Sequence, residues 1–152
     1  MSVTLRYSGT LKDRTLLPRL REDFQDIAAT HAWPVDLLDA PPAEAPARGR
    51  LQAPPLVIEG LKLYVHPQTD PLWFSFDPDN QLTRLGAVPP LGLLHQAQAS
   101  IQTGIGGPLL HQTVVSLLDY LKKAYVPDLQ VSDESGYWEA RDAEALRRLM
   151  ER

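Results

Sequence analysis

The chain has 152 residues, a net charge of −4 and no cysteine. A single domain over residues 1–152 is expected at this length, one that buries roughly 70% of its unfolded surface. The missing cysteines exclude disulfides and thiolate metal sites, and the acidic balance makes nucleic acid an unlikely main partner. No run reaches the ~18 apolar residues of a membrane span. The opening Met-Ser-Val-Thr-Leu-Arg-Tyr lacks the basic and apolar regions of a signal peptide. The expectation is a cytoplasmic protein with no membrane contact.

Residues 2–8 alternate, with Val3, Leu5 and Tyr7 against Thr4 and Arg6, which predicts a half-buried strand. Asp13 or Thr15 can cap the next helix, and Pro18 falls in its first turn if Thr15 is the cap. Leu16, Leu17, Leu20, Phe24, Ile27 and Ala28 form one apolar stripe along it. Pro34 stops that helix, and residues 35–38 read as a short strand. Residues 40–55 hold five prolines and little to bury, the pattern of a proline-rich loop; its Arg48 and Arg50 read as solvated.

Residues 56–86 are strand-like. Leu61, Leu63 and Val65 alternate with Lys62, Tyr64 and His66, and Leu72, Phe74 and Phe76 alternate with Trp73 and Ser75. Asp77-Pro78-Asp79-Asn80 predicts a type I turn with Asn80 left-handed, leading into a strand over 81–86. Residues 87–95 are apolar without a clear period and read as a loop. A strand over 97–103 comes next. Pro108 starts a second long helix whose stripe is Leu110, Val114, Leu117, Leu118, Leu121 and Tyr125. Asp133-Glu134-Ser135-Gly136 predicts a second hairpin turn, joining strand 129–132 to strand 137–140. A short helix from Asp142 buries Leu146, Leu149 and Met150.

This order predicts an α+β two-layer sandwich: a mostly antiparallel sheet, two long helices on one face and a short C-terminal helix. Residues 29–39 and 123–133 echo each other, each finishing a helix with an aromatic, a proline and a short apolar stretch closing on aspartate. A pseudo-two-fold repeat is therefore expected. The element order resembles that of TATA-binding-protein-like folds, an analogy that implies architecture and no function. The block from Tyr125 to Glu139 resembles the ending of a family of small bacterial proteins of uncharacterised activity. It implies no activity, cofactor or site residue.

Four groups of residues are candidates for function. Gly104, Gly106 and Gly107 precede the second helix, where backbone N–H groups can cradle an anion. Neither the dinucleotide nor the Walker spacing is present, however, and Pro108 removes a donor. His66 and His111 could work beside Asp133, Glu134 or Glu139 in acid–base or metal chemistry, but no spacing forces them together. His31 and His95 offer less. The third group is the acidic hairpin, where Tyr137 and Trp138 must point to opposite faces of a strand, placing one aromatic outward near Glu134 and Glu139. That would suit a basic peptide or an amine. The fourth is the open sheet face, displaying Arg6, Lys62, Tyr64, His66, Trp73, Ser75, Ser100 and Gln102, a surface for a ligand, a protein partner or a sheet-to-sheet homodimer.

The leading reading is a non-catalytic binding protein with neither cofactor nor metal, using the sheet face and the acidic hairpin. The competing reading is a small-molecule enzyme with a His/carboxylate site.

Overall fold

The computed structural model describes residues 3–38, 58–88 and 92–151, with the backbone alone over 85–88 and 92–96. The proline-rich stretch, including Arg48 and Arg50, lies outside the described residues.

The fold is α+β, with every strand pair among the described residues antiparallel. Strand β1 (Thr4–Ser8) leads through a 3-10 turn into helix α1 (Leu17–His31), then strand β2 (Val35–Leu38). Strands β3 (Glu59–Leu63), β4 (Leu72–Phe76), β5 (Arg84–Val88), β6 (Gly92–Gln96) and β7 (Ala99–Gln102) follow. Helix α2 (Gly107–Ala124), strand β8 (Gln130–Asp133) and helices α3 (Tyr137–Ala140) and α4 (Ala143–Met150) complete the order. The strands form two three-stranded sheets, β7-β1-β8 and β2-β3-β4, and a separate β5-β6 pair.

Local chemistry sets the ends of these elements. Asp13 accepts the amide and hydroxyl of Thr15, holding the turn that starts α1. At the other end Ala32 turns left-handed at φ 58°, its amide returned to the carbonyls of Ala28 and Ala29. Asn80 takes the left-handed position of the 77–80 turn at φ 66°, and its amide donates to the Asp77 carbonyl at 2.9 Å. The next regular strand starts only at Arg84. Residues 81–83 instead stitch the sheets together, through a Thr10–Gln81 bridge and a Leu82 amide donating to the Gly9 carbonyl at 2.8 Å.

One hydrophobic cluster draws on both sheets and both long helices. Leu5, Tyr7, Ala99 and Ile101 meet Leu61, Phe74 and Phe76 beneath Leu20 and Phe24 of α1 and Val114, Leu118 and Leu121 of α2. Phe24 lies 4.7 Å from Phe74 between ring centroids. Each large side chain removed from water here stabilises the fold by about 1.5–3 kcal/mol. Of the C-terminal stripe, Leu146 is buried while Leu149 and Met150 are half-buried.

Two expectations about elements are corrected. Residues 87–88 and 92–95 are strand rather than loop, because β5 and β6 pair from Arg84–Gln96 to Val88–Gly92; residues 89–91 lie outside the described residues. Residues 137–140 are not a strand but the four-residue helix α3. Gly136 is left-handed as expected, at φ 76°, but the chain then coils, the amides of Ala140 and Arg141 returning to the carbonyls of Gly136 and Tyr137. The echoing units also enter the sheets differently. Strands β7 and β8 flank β1 in one sheet, whereas β1 and β2 belong to separate sheets. The echo therefore lives in the helix endings rather than in the strand order.

Candidate functional site

The second sheet turns a row of polar and aromatic side chains outward. Asp36, Lys62 and Trp73 are cross-strand neighbours in register. The Lys62 ammonium sits 4.8 Å from the centroid of Trp73, 5.6 Å from that of Tyr64 and 3.7 Å from an Asp36 oxygen. The same Asp36 oxygen accepts the Tyr64 hydroxyl at 2.7 Å. Trp73 is thus capped by a cation from its own sheet. Arg6 and Gln102 are exposed and Ser100 half-buried on the other sheet. Ser75, expected beside Trp73, is instead fully buried and donates to the Thr83 carbonyl at 2.6 Å. The segment that stitches the sheets covers it.

Beyond this row the sheet ends in a cleft. Pro34 accepts the Tyr64 amide at 3.0 Å but has no N–H to return, so the β2–β3 ladder stops there. The chain past β3 then bends into a turn in which the Thr69 amide reaches the His66 carbonyl at 3.3 Å, with Pro67 at its second position. His66 therefore sits in this turn, not on a strand face. Between the turn and the end of α1 lies a cleft of about 600 Å³, lined by Trp33, Pro34, Asp36, Tyr64, His66 and Pro67 among others. Its tautomer follows from geometry: the Gln68 amide donates to His66 Nδ1 at 3.1 Å, so the neutral ring carries its proton on Nε2. Trp33 is stacked on His31, with centroids 4.2 Å apart and planes 12° from parallel. Sequence reasoning found Tyr64 and His66 and missed Trp33, Pro34, Asp36 and Pro67. The available signal was two aromatic-or-histidine-plus-proline pairs, Trp33-Pro34 and His66-Pro67.

The acidic block is built otherwise than expected. With Tyr137 and Trp138 on a helix, neither stands out from a strand. Tyr137 packs edge-on against His111 at 6.0 Å, and Trp138 lies under Arg141, whose guanidinium carbon is 4.8 Å from the ring centroid. Arg141 is held in turn by both oxygens of Asp119. Glu134 accepts the Thr4 amide at 2.6 Å and so closes the end of β1. Glu139 is exposed.

His111 does meet a carboxylate, and the carboxylate is Asp133. Both side chains are completely buried. His111 Nδ1 lies 2.6 Å from the Thr103 hydroxyl and Nε2 lies 2.9 Å from Asp133 Oδ2. A hydroxyl donating to Nδ1 and Nε2–H donating to the carboxylate satisfy the neutral ring. Asp133 also accepts the amides of Ser135 and Trp138 and the Ser135 hydroxyl. Burial works to raise the Asp133 carboxyl, but hydrogen bonds from His111 and from the Ser135 hydroxyl and amide outweigh it and hold the group below the usual carboxylate value. In a nucleophilic triad the imidazole joins hydroxyl and carboxylate through opposite nitrogens. Here Ser135 and Asp133 share the Nε2 side, and Thr103 occupies the other. This network clamps the start of α2 to the turn after β8 and is not arranged to activate Ser135.

At the glycine junction two of the amides are used internally: Gly106 donates to the Thr103 carbonyl at 3.0 Å, and Gly107 to that of Gly104. Across the helices, the Tyr120 and Tyr125 hydroxyls both donate to one oxygen of Asp23. Those bonds hold the Asp23 carboxyl low, and burial first, then Asp23, pushes the Tyr125 hydroxyl up. Among the described residues, no three histidine, aspartate or glutamate side chains gather closely enough to hold a metal, and no helix is long and apolar enough to cross a membrane. Compared with protein-family models, with curated proteins and with solved structures, the chain finds no significant match.

Proposed function

We propose that this chain is a non-catalytic, cytoplasmic binding protein whose ligand occupies the cleft between the end of α1 and the turn after β3. The observation that carries the reading is the contrast between two histidines. His66 lines an open cleft of about 600 Å³ with aromatic and proline walls, a size within the ~300–1,000 Å³ of ordinary ligand sites. His111, joined to a carboxylate as an acid–base site would need, is sealed from solvent. Asp36 and the cation-capped Trp73 extend the cleft outward along the sheet, giving a partner a continuous surface.

Fragment mapping by NMR on the isotope-labelled chain tests this. Small aromatic and heterocyclic fragments should shift the amides of Tyr64 and His66 and the indole signal of Trp33. Fragments gathering instead beside Trp138, or at no common place, would remove the cleft as the binding site.

A further inference from the structure

We infer that the cleft takes a proline-containing extended segment of a partner protein, held in the polyproline II conformation; this rests on the binding reading above. The argument is complementarity of hydrogen-bonding groups. Two of the walls are aromatic, Trp33 and Tyr64, and two are proline, Pro34 and Pro67. Among the described residues the indole N–H of Trp33 makes no hydrogen bond to protein. The Nε2–H that the Gln68 amide fixes on His66 makes none either. Both unbonded donors thus belong to residues that line a largely apolar, ring-walled cleft.

A polyproline II segment is the matching ligand. Its prolines have no N–H to satisfy, its carbonyls project as acceptors, and its conformation is already ordered before binding. Aromatic-lined grooves recognise such segments by those properties. Competing chemistries fit less well. A phosphate or carboxylate would meet the Asp36 carboxylate on the rim, while the nearby cation, Lys62, is engaged with Asp36, Tyr64 and Trp73. A non-proline peptide would bring a backbone donor at every residue, and Asp36, the one carboxylate among the described lining residues, could satisfy only some of them.

The test is an NMR titration of the full chain with a blocked decaproline peptide, with a blocked peptide of alanine and serine as the control. The chain has three tryptophans, hence three indole N–H signals. The Trp33 signal should move saturably, together with the Tyr64 and His66 amides, while that of Trp138 stays still. Trp33→Phe keeps a ring and removes the donor, and should weaken binding about 2- to 10-fold, the value of one hydrogen bond. His66→Ala, in a surface turn, should do the same and serves if Trp33→Phe disturbs folding. Absence of a saturable shift at millimolar decaproline, an equal response to the control peptide, or a response centred on Trp138 would overturn the inference. If fragments fill the cleft but decaproline does not, only the peptide assignment falls; if neither enters, the binding reading falls with it.

Discussion

Replacing His111 with alanine should destabilise this protein by about 2–5 kcal/mol, the cost of emptying a buried side-chain site and leaving a buried carboxylate short of a hydrogen bond. The imidazole has no solvent-exposed surface and bonds the Thr103 hydroxyl on one side and Asp133 on the other. Its removal strands a fully buried carboxylate. Because Asp133 keeps the amides of Ser135 and Trp138 and the Ser135 hydroxyl, the loss should fall toward the lower end. Urea denaturation followed by circular dichroism measures it, and the midpoint should fall with the slope unchanged. A domain stable by about 5–15 kcal/mol survives such a loss in water. Asp133→Ala and the double variant complete a cycle, whose coupling should be about 1–3 kcal/mol. A single-variant loss below about 1 kcal/mol, or a coupling near zero, would refute the clamp and reopen a functional role for this histidine.

Further outcomes follow from the same geometry. Asp133 is held low in the folded state, so its contribution is present above the ordinary carboxylate pKa of about 3.9 and fades as pH falls through the depressed folded value. Acid denaturation of Asp133→Asn should therefore show a shallower loss below about pH 4 than the parent chain. Tyr7 and Tyr125 are shifted the other way, chiefly by burial. Their contribution is intact below about pH 10 and is lost as pH rises further, so ultraviolet titration should show them ionising only as the protein unfolds. Among Gly9, Gly60, Gly106, Gly107 and Gly136, Gly60→Ala should be the most damaging change: a Cβ there would meet the Phe74 carbonyl oxygen at 2.1 Å, at a φ of +147°. Gly136→Ala, with open space around it, should cost only the left-handed penalty of about 1–2 kcal/mol. Melting temperatures separate the two, at about 2–4 °C per kcal/mol for a chain of this size.

The long elements were legible because their apolar stripes are long. Leu17, Leu20, Phe24 and Ala28, and Val114, Leu118 and Leu121, repeat at helical spacing, and tertiary packing agrees with them. Asn80 and Gly136 were legible because few residues tolerate a positive φ. The four residues of α3 offered no period, and their coil depends on a contact from outside, the Asp133 carboxylate taking the Trp138 amide. The apolar run of β5 and β6 lacked the alternation that marks one covered face. The alternation continues past Leu63 and so predicts a strand position for His66, whereas the ladder ends at Pro34 for want of a donor. The role of His111 is written in its position. It falls three residues before Val114 and seven before Leu118, on the buried stripe, where a histidine must find partners.

Strand β1 is the first to be made and the last to be completed. It lies in the middle of its sheet, yet Thr4 pairs with Gln102 and Leu5 with Asp133. Most of the chain must therefore emerge before either edge of β1 is covered, and nonlocal pairing of this kind slows folding. Until β7 and β8 arrive, an alternating apolar strand waits with both ladders open, an invitation to pair with another chain. A chain cut short after α2 would keep both helices and most of the core residues but lack β8, leaving one side of β1 permanently bare. The hazard of such a fragment lies less in lost stability than in what that edge would find instead.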